Sequence, residues 1–259
     1  MNRFSSPVSQ YHSHPVRQLA PGDSLEYAKE LLELHQISAL AVTEQEALVG
    51  VITRTDLLRV GRRQAGTRRG AELLVLPNKA VAEVMTRDPS CVAPTASVAE
   101  ASKLMLEGRV HRVFVCDDRR LRGIFSTRDA MRAIADKRVA TPIVEHASRS
   151  VYSVQFDDPV ALAAERLEKA HVSGLVVVEN DWPIGIFSQV EALASRDLPR
   201  ETRVEEVLDP AMLCLDVATP LFRAAAQASA MDVQRILVID DRKCVGVLSG
   251  LDMVRVSAE

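Results

Sequence analysis

A seven-residue pattern recurs four times along the chain and constrains its fold more than any other feature. It reads glycine, two apolar residues, Ser or Thr, two variable residues, then Asp or Glu. The copies are Gly50-Val51-Ile52-Thr53-Arg54-Thr55-Asp56, Gly123-Ile124-Phe125-Ser126-Thr127-Arg128-Asp129, Gly185-Ile186-Phe187-Ser188-Gln189-Val190-Glu191 and Gly246-Val247-Leu248-Ser249-Gly250-Leu251-Asp252. Recurrence of this kind implies one supersecondary unit used repeatedly, each copy covering an apolar face that its neighbour cannot cover alone.

The surroundings repeat too. About 27 residues before each glycine stands a helix-start signal: Asp23 with Glu26, Ser97 with Glu100, Asp158 before Pro159, and Thr219 before Pro220. The first two fit a capping box, and the last two place proline at the first helical position. Apolar residues at helical spacing follow, as in Val98, Ala101, Leu104 and Met105. Next come β-type runs at 113–115, 176–178 and 236–239, then polar turns such as Asp117-Asp118-Arg119-Arg120 and Asp240-Asp241-Arg242-Lys243. A second apolar run enters the glycine pattern, and another helix leaves it. With the short extended stretches Ser90-Cys91-Val92 and Met212-Leu213-Cys214 ahead of the helices, the unit reads β-α-β-β-α.

A unit of roughly 60 residues buries only about 60% of its unfolded surface, so the units are expected to pair. The glycine spacings are 73, 62 and 61, and the excess in the first falls within an insertion over 61–79 that carries Arg62, Arg63, Arg68 and Arg69. The organisation expected is an N-terminal tail over 1–15, units over 16–60, 80–138, 139–197 and 198–259, and the insertion as a solvated loop.

Composition narrows the function classes. With 47% hydrophobic and 26% charged residues and no apolar run of membrane-spanning length, the chain is expected to be globular, cytoplasmic and free of membrane. Ten aromatics are too few to stack bases along a groove, which disfavours single-strand nucleic-acid binding. The net charge of -3 conceals an asymmetry: residues 1–138 carry +5 and the remainder -8. Cys91, Cys116, Cys214 and Cys244 are dispersed without a C-x-x-C pair and read as small core hydrophobes. His12 and His14 lack the further ligands a metal needs. No phosphate loop, nucleophile elbow or paired nucleophile and base is present, so no catalytic set is expected.

The fourfold pattern resembles CBS domains, the small β-α-β-β-α modules that pair into Bateman modules, over about residues 16–256. The resemblance implies a mixed α/β (α+β) fold of four repeats in two tandem pairs. It also implies a non-enzymatic regulatory protein that binds AMP, ADP, ATP, S-adenosylmethionine or another adenosine-containing ligand between paired repeats. In the family motif the acid holds the ribose and the hydroxyl lies near ribose or phosphate, which nominates Thr53 with Asp56, Ser126 with Asp129, and Ser249 with Asp252. Ser188 with Glu191 ranks last, since the longer Glu displaces the carboxylate. A carboxylate can accept from both hydroxyls of a diol. The same Ser/Thr-x-x-Asp/Glu spacing is also a capping box that a helix uses for its own stability.

A second constellation starts the first long strand of the even units. His111-Arg112 and Gln234-Arg235 stand where the odd units have Ser38-Ala39 and Ser173-Gly174. This alternation resembles the γ subunit of AMP-activated protein kinase, in which such residues contact phosphates. The planar fork of Arg suits phosphate; pairing with nearby acids is the alternative for Arg112 and Arg235. Arg54 and Arg128, within the motifs, are further phosphate candidates or solvated first-turn residues. The basic first pair is the expected anion site. Two other accounts stay open: an interaction module without ligand, and a nucleic-acid binder acting through the insertion. The resemblance implies a regulated protein partner of unknown identity, and helical faces covered by a second chain in a homodimer or by the other pair of the same chain.

Overall fold

The computed structural model describes residues 3–65, 72–172 and 174–259. Arg68, Arg69 and Ser173 lie outside the described residues. Unit 1 comprises β1 (Gln18–Leu19), α1 (Leu25–Leu34), β2 (Ala39–Glu44), β3 (Ala47–Thr53) and α2 (Arg54–Val60). A hairpin of β4 (Arg62–Ala65) and β5 (Glu72–Val75) follows, so part of the insertion expected as a loop is paired strand. Unit 2 comprises β6 (Thr86–Arg87), β7 (Cys91–Val92), α3 (Val98–Glu107), β8 (Arg112–Asp117), β9 (Arg120–Ser126) and α4 (Thr127–Asp136). Unit 3 holds β10 (Ser153–Gln155), α5 (Val160–Ala170), β11 (Gly174–Glu179), β12 (Trp182–Ser188) and α6 (Gln189–Ala194). Unit 4 holds β13 (Leu213–Asp216), α7 (Leu221–Met231), β14 (Arg235–Asp240), β15 (Lys243–Ser249) and α8 (Gly250–Ala258).

In every unit the strand just before the first helix pairs parallel with the strand after it, and that strand forms an antiparallel hairpin with the next, while β6 of unit 2 pairs antiparallel with β3 of unit 1. The polar turns close these hairpins with two consecutive positive-φ residues, Gln45-Glu46, Asp118-Arg119, Asn180-Asp181 and Asp241-Arg242. Such a turn matches the right-handed twist of the flanking strands. Helix starts differ slightly from the sequence expectation. Ser24, not Asp23, caps α1 by accepting from the Tyr27 amide. Pro159 and Pro220 occupy the N-cap, one residue before the helix, because their backbone is extended and bridges to Arg203 and Pro142.

The residues expected as an N-terminal tail are folded onto the protein. Phe4, Val8 and Tyr11 are buried in the core of unit 2, and the Val8 amide donates to the Ala96 carbonyl at 2.8 Å. The same exchange occurs throughout. The segment before unit 2 places Val81 and Met85 in the core of unit 1, the segment before unit 3 places Ile143 in the core with unit 4, and the segment before unit 4 places Val204 in unit 3. Each member of a pair thus completes the other's core. These crossings explain the repeated glycine. A Cβ at Gly185 would lie 2.7 Å from the Asp209 carbonyl oxygen, at Gly123 2.6 Å from the His12 ring, at Gly246 3.0 Å from the Ser148 carbonyl oxygen, and at Gly50 3.1 Å from that of Thr86. No side chain fits between strand and crossing segment.

Within each pair the sheets meet: Ala41 and Leu48 pack on Phe114 and Cys116, and Val176 and Ile186 on Leu237. The pairs then cover one another's helices. Unit 2 and unit 4 share one core containing Met131, Ile134, Ala224, Met253 and Val254. Units 1 and 3 meet where Arg196 donates to the Arg59 and Gly61 carbonyls and Arg62 faces Asp197 at 3.8 Å. The helical faces of the two pairs are therefore satisfied within one chain.

Candidate functional site

All four Ser/Thr-x-x-acid motifs form capping boxes at the starts of α2, α4, α6 and α8. In unit 2 one Asp129 oxygen accepts from both the Ser126 amide and hydroxyl at 2.8 Å. The equivalent hydroxyl contacts are 2.6 Å for Thr53 to Asp56, 2.5 Å for Ser188 to Glu191 and 2.6 Å for Ser249 to Asp252. The second carboxylate oxygen is held by an arginine three residues on: Arg59 at 3.5 Å, Arg132 at 3.2 Å and Arg255 at 2.9 Å. Sequence reading passed over these arginines, although the Asp-x-x-Arg spacing stands in three of the four motifs. Unit 3 has Ala194 there. Asp129 is only 1% exposed, and burial raises its pKa against the lowering effect of the Ser126 and Arg132 contacts.

The arginines of the even units reach across the seam of each pair. Arg112, at the start of β8, donates through Nη2 to Ser38 Oγ of unit 1 at 3.1 Å. Its Nη1 is buried without a hydrogen-bond partner among the described residues. Desolvation lowers the Arg112 pKa, and the charge of Asp56 from unit 1 opposes that. Arg235 makes the corresponding crossing in the second pair. A Cβ at Gly174 of unit 3 would come within 2.9 Å of its Nε, so the absent side chain is what admits the guanidinium. Desolvation lowers its pKa, opposed by Glu191 and Asp209.

The charges of both crossing arginines reach His111. His111 keeps a solvent-exposed face, yet desolvation, then the charges of Arg112 and Arg235, hold its imidazole below the ordinary value. Beside it the motifs of units 2 and 4 touch, with Thr127 Oγ1 donating to Gln234 Oε1 at 3.0 Å. A Cβ at Gly250 would meet Gln234 Oε1 and Thr127 Cβ at 3.1 Å each. His111 thus feels both arginines, while Asp56 bears on Arg112 and Glu191 on Arg235. The arrangement suits an oxyanion that accepts from several donors at once.

Other nominated residues are used differently. Arg128 donates through Nε to the Ser229 carbonyl at 2.9 Å and pairs with Asp232 at 3.3 Å, so its guanidinium is committed to the end of α7. Arg54 is exposed in the first turn of α2. Ser38 and Gly174 were visible only as the small residues aligned near the even-unit arginines. What they do depends on the pairing geometry. Among the described residues no cluster of three or more His, Cys, Asp or Glu side chains is placed to hold a metal.

A protein-family model described as the CBS domain matches residues 8–63, 81–136, 143–195 and 204–259. The chain belongs to the CBS-domain family. Its four CBS repeats form two Bateman-type pairs, and CBS modules of this kind are non-catalytic regulatory domains. The matched segments begin at the crossing turns Val8, Val81, Ile143 and Val204.

Solved structures share the whole architecture. Protein MJ1225 from Methanocaldococcus jannaschii, a candidate archaeal homologue of γ-AMPK, is similar with a TM-score of 0.75 at 16% identity, covering 96% of this chain and 99% of that one. A conserved protein from Pyrococcus horikoshii reaches 0.68 at 18% identity, covering 97% and 99%. A 33.4 kDa protein encoded in a ribosomal RNA operon of Thermofilum pendens is 27% identical over 70% of this chain and 61% of its own length. An inosine-5'-monophosphate dehydrogenase of M. jannaschii is 29% identical over 64% of this chain but only 32% of its own. The chain therefore spans less than two thirds of these two curated relatives. No helix among the described residues is long and apolar enough to cross a membrane.

Proposed function

We propose that this protein is a sensor of an adenosine-containing ligand bearing phosphate, held between paired CBS repeats, with the phosphate at the central cluster of Arg112, His111 and Arg235. The observation that carries this reading is the buried Nη1 of Arg112, unpartnered among the described residues. A charged donor withdrawn from water costs stability unless a partner completes it, and a phosphate oxygen supplies that partner. Asp56 and Thr53 line the unit 1 side of the same seam, where the ribose is proposed to sit, with Ser126 and Asp129, Ser249 and Asp252, and Ser188 and Glu191 as the equivalent positions. AMP, ADP or ATP fits the cluster better than S-adenosylmethionine, which has no phosphate.

Occupancy would shift the relative orientation of the two repeats only to the extent that ligand binds one orientation more tightly. A regulated protein partner would read that shift. Isothermal titration of the full chain with AMP, ADP, ATP and S-adenosylmethionine tests the proposal: saturable binding of at least one nucleotide is expected, weakening with added inorganic phosphate. Absence of binding by all four would overturn it.

The depressed His111 supplies a pH signature. In the free protein its imidazole stays neutral in the folded state, so the unfolded chain binds the extra proton as pH falls through about 6.5. Folded stability is therefore expected to decline below that pH. A phosphate beside the ring reverses the bias, and nucleotide binding near pH 6.5 is expected to take up a proton. Titration in buffers of different ionisation enthalpy reads that uptake, and His111→Gln is expected to remove it.

A further inference from the structure

The thiols of Cys91 and Cys116 lie with their Sγ atoms 2.8 Å apart. Cys91 stands on β7 and Cys116 on β8, directly neighbouring parallel strands at the edge of the first-pair sheet. Cys91 is exposed and Cys116 buried. Both line a cavity of about 330 Å³ with Asp88, Pro89, Leu48 and Arg119. This cavity lies at the hairpin-turn end of β8, away from Arg112 at its other end. The remaining cysteines are arranged differently: Cys214 is on β13 and Cys244 on β15, with β14 between them.

We propose that Cys91 and Cys116 are a reversible redox site, closed to an intramolecular disulfide by hydrogen peroxide. Bonded sulfurs stand about 2 Å apart, so less than about 1 Å of further approach is needed. The moving part is β7, an edge strand held by two register pairs. The chemistry has a defined direction. The hydrogen bond with Cys116, assisted by the positive charge of Arg119, lowers the Cys91 pKa against its partial burial, whereas Cys116 is raised. Cys91 is thus the more acidic thiol and the attacking sulfur, exposed at the cavity.

In the first step the Cys91 sulfur attacks one peroxide oxygen. The O–O bond breaks, a sulfenic acid forms on Cys91, and the departing hydroxide takes a proton to become water. In the second step the Cys116 sulfur attacks the Cys91 sulfur. The S–S bond forms, the S–O bond breaks, and hydroxide leaves with the Cys116 proton as a second water. Two thiols have lost two electrons and two protons, and the peroxide has been reduced to two waters. The bond would fasten β7 to β8. The chain running on from β7 carries the Pro94 and Ala96 carbonyls, which receive the Ser9 and Val8 amides, so the seat of the N-terminal segment would be fixed as well.

The test is hydrogen peroxide treatment of the full chain, alkylation of remaining thiols, and non-reducing peptide mass spectrometry. The expected result is a peptide joining Cys91 to Cys116 with two hydrogens lost, reversed by dithiothreitol, while Cys214 and Cys244 remain alkylated. Cys116→Ser is expected to leave Cys91 as a sulfenic acid labelled by dimedone. Alkylation of both thiols after peroxide, or Cys91 joined to a second chain, would overturn the proposal without any variant. Because the pair is remote from Arg112, this result is independent of whether nucleotide binds.

Discussion

Arg112→Met is expected to cut nucleotide-dependent stabilisation by half or more while leaving the ligand-free protein as stable as before, or more so. The opposite signs follow from one fact. In the free protein Arg112 holds a desolvated guanidinium with one nitrogen unpartnered among the described residues. A buried charge short of a partner costs stability, so an apolar side chain of similar length is expected to be tolerated there. In the liganded protein that nitrogen would complete a charge-assisted hydrogen bond, a contact worth about 1.5–3 kcal/mol. Its removal should weaken binding by about ten- to a hundredfold. Nucleotide at about 100 times its dissociation constant stabilises wild type by about 2.7 kcal/mol, a rise in Tm of about 5–10 °C for a chain of this size. At the same concentration a tenfold weaker site keeps about half of that rise and a hundredfold weaker one about a sixth. A fall of several degrees in the ligand-free Tm would instead mark Arg112 as a structural group, held for its bond to Ser38.

The second large effect concerns the repeated glycine. Gly185→Ala places a methyl 2.7 Å from the Asp209 carbonyl oxygen and against the Leu208 side chain. Backbone cannot yield there without breaking the reciprocal bonds between Ile186 and Asp209, at 2.8 and 2.9 Å. Overpacking of this kind costs about 1–3 kcal/mol. Gly22→Ala is the matched control, since nothing lies within 4 Å of a Cβ there. It should be neutral or slightly stabilising through the unfolded chain. Urea denaturation midpoints compare the two directly. Gly123→Ala should fall between them, because the atom in the way belongs to the His12 ring, a side chain on a segment near the chain terminus. Equal midpoints for Gly185→Ala and Gly22→Ala would remove the crossing segment as the reason for the glycine.

The chemistry of the site was legible in part. His111, Arg112 and Arg235 stood out in the sequence because the repeats could be aligned and the even units differed from the odd ones. Their partners did not. Ser38 and Gly174 are small residues whose importance is that an arginine from another repeat arrives over them, and nothing local signals that arrival. Arg128 likewise has a distant partner. Its position in the motif suited an anion, but Asp232, more than a hundred residues away in sequence, takes its charge.

The sequence by itself determined the unit. Local periodicity, capping residues and two-residue turns are properties of neighbouring amino acids, and fourfold repetition averaged away their individual ambiguity. Tertiary structure alone decided how the units exchange their leading segments and why glycine stands in every motif. It also decided which groups Arg112 and Arg128 reach, and that Cys91 meets Cys116. Those facts depend on contacts between residues far apart in the chain. Phe4, Val8 and Tyr11 show the limit plainly, since three apolar residues scattered among Ser, Gln and His read as tail until the core of unit 2 is there to bury them.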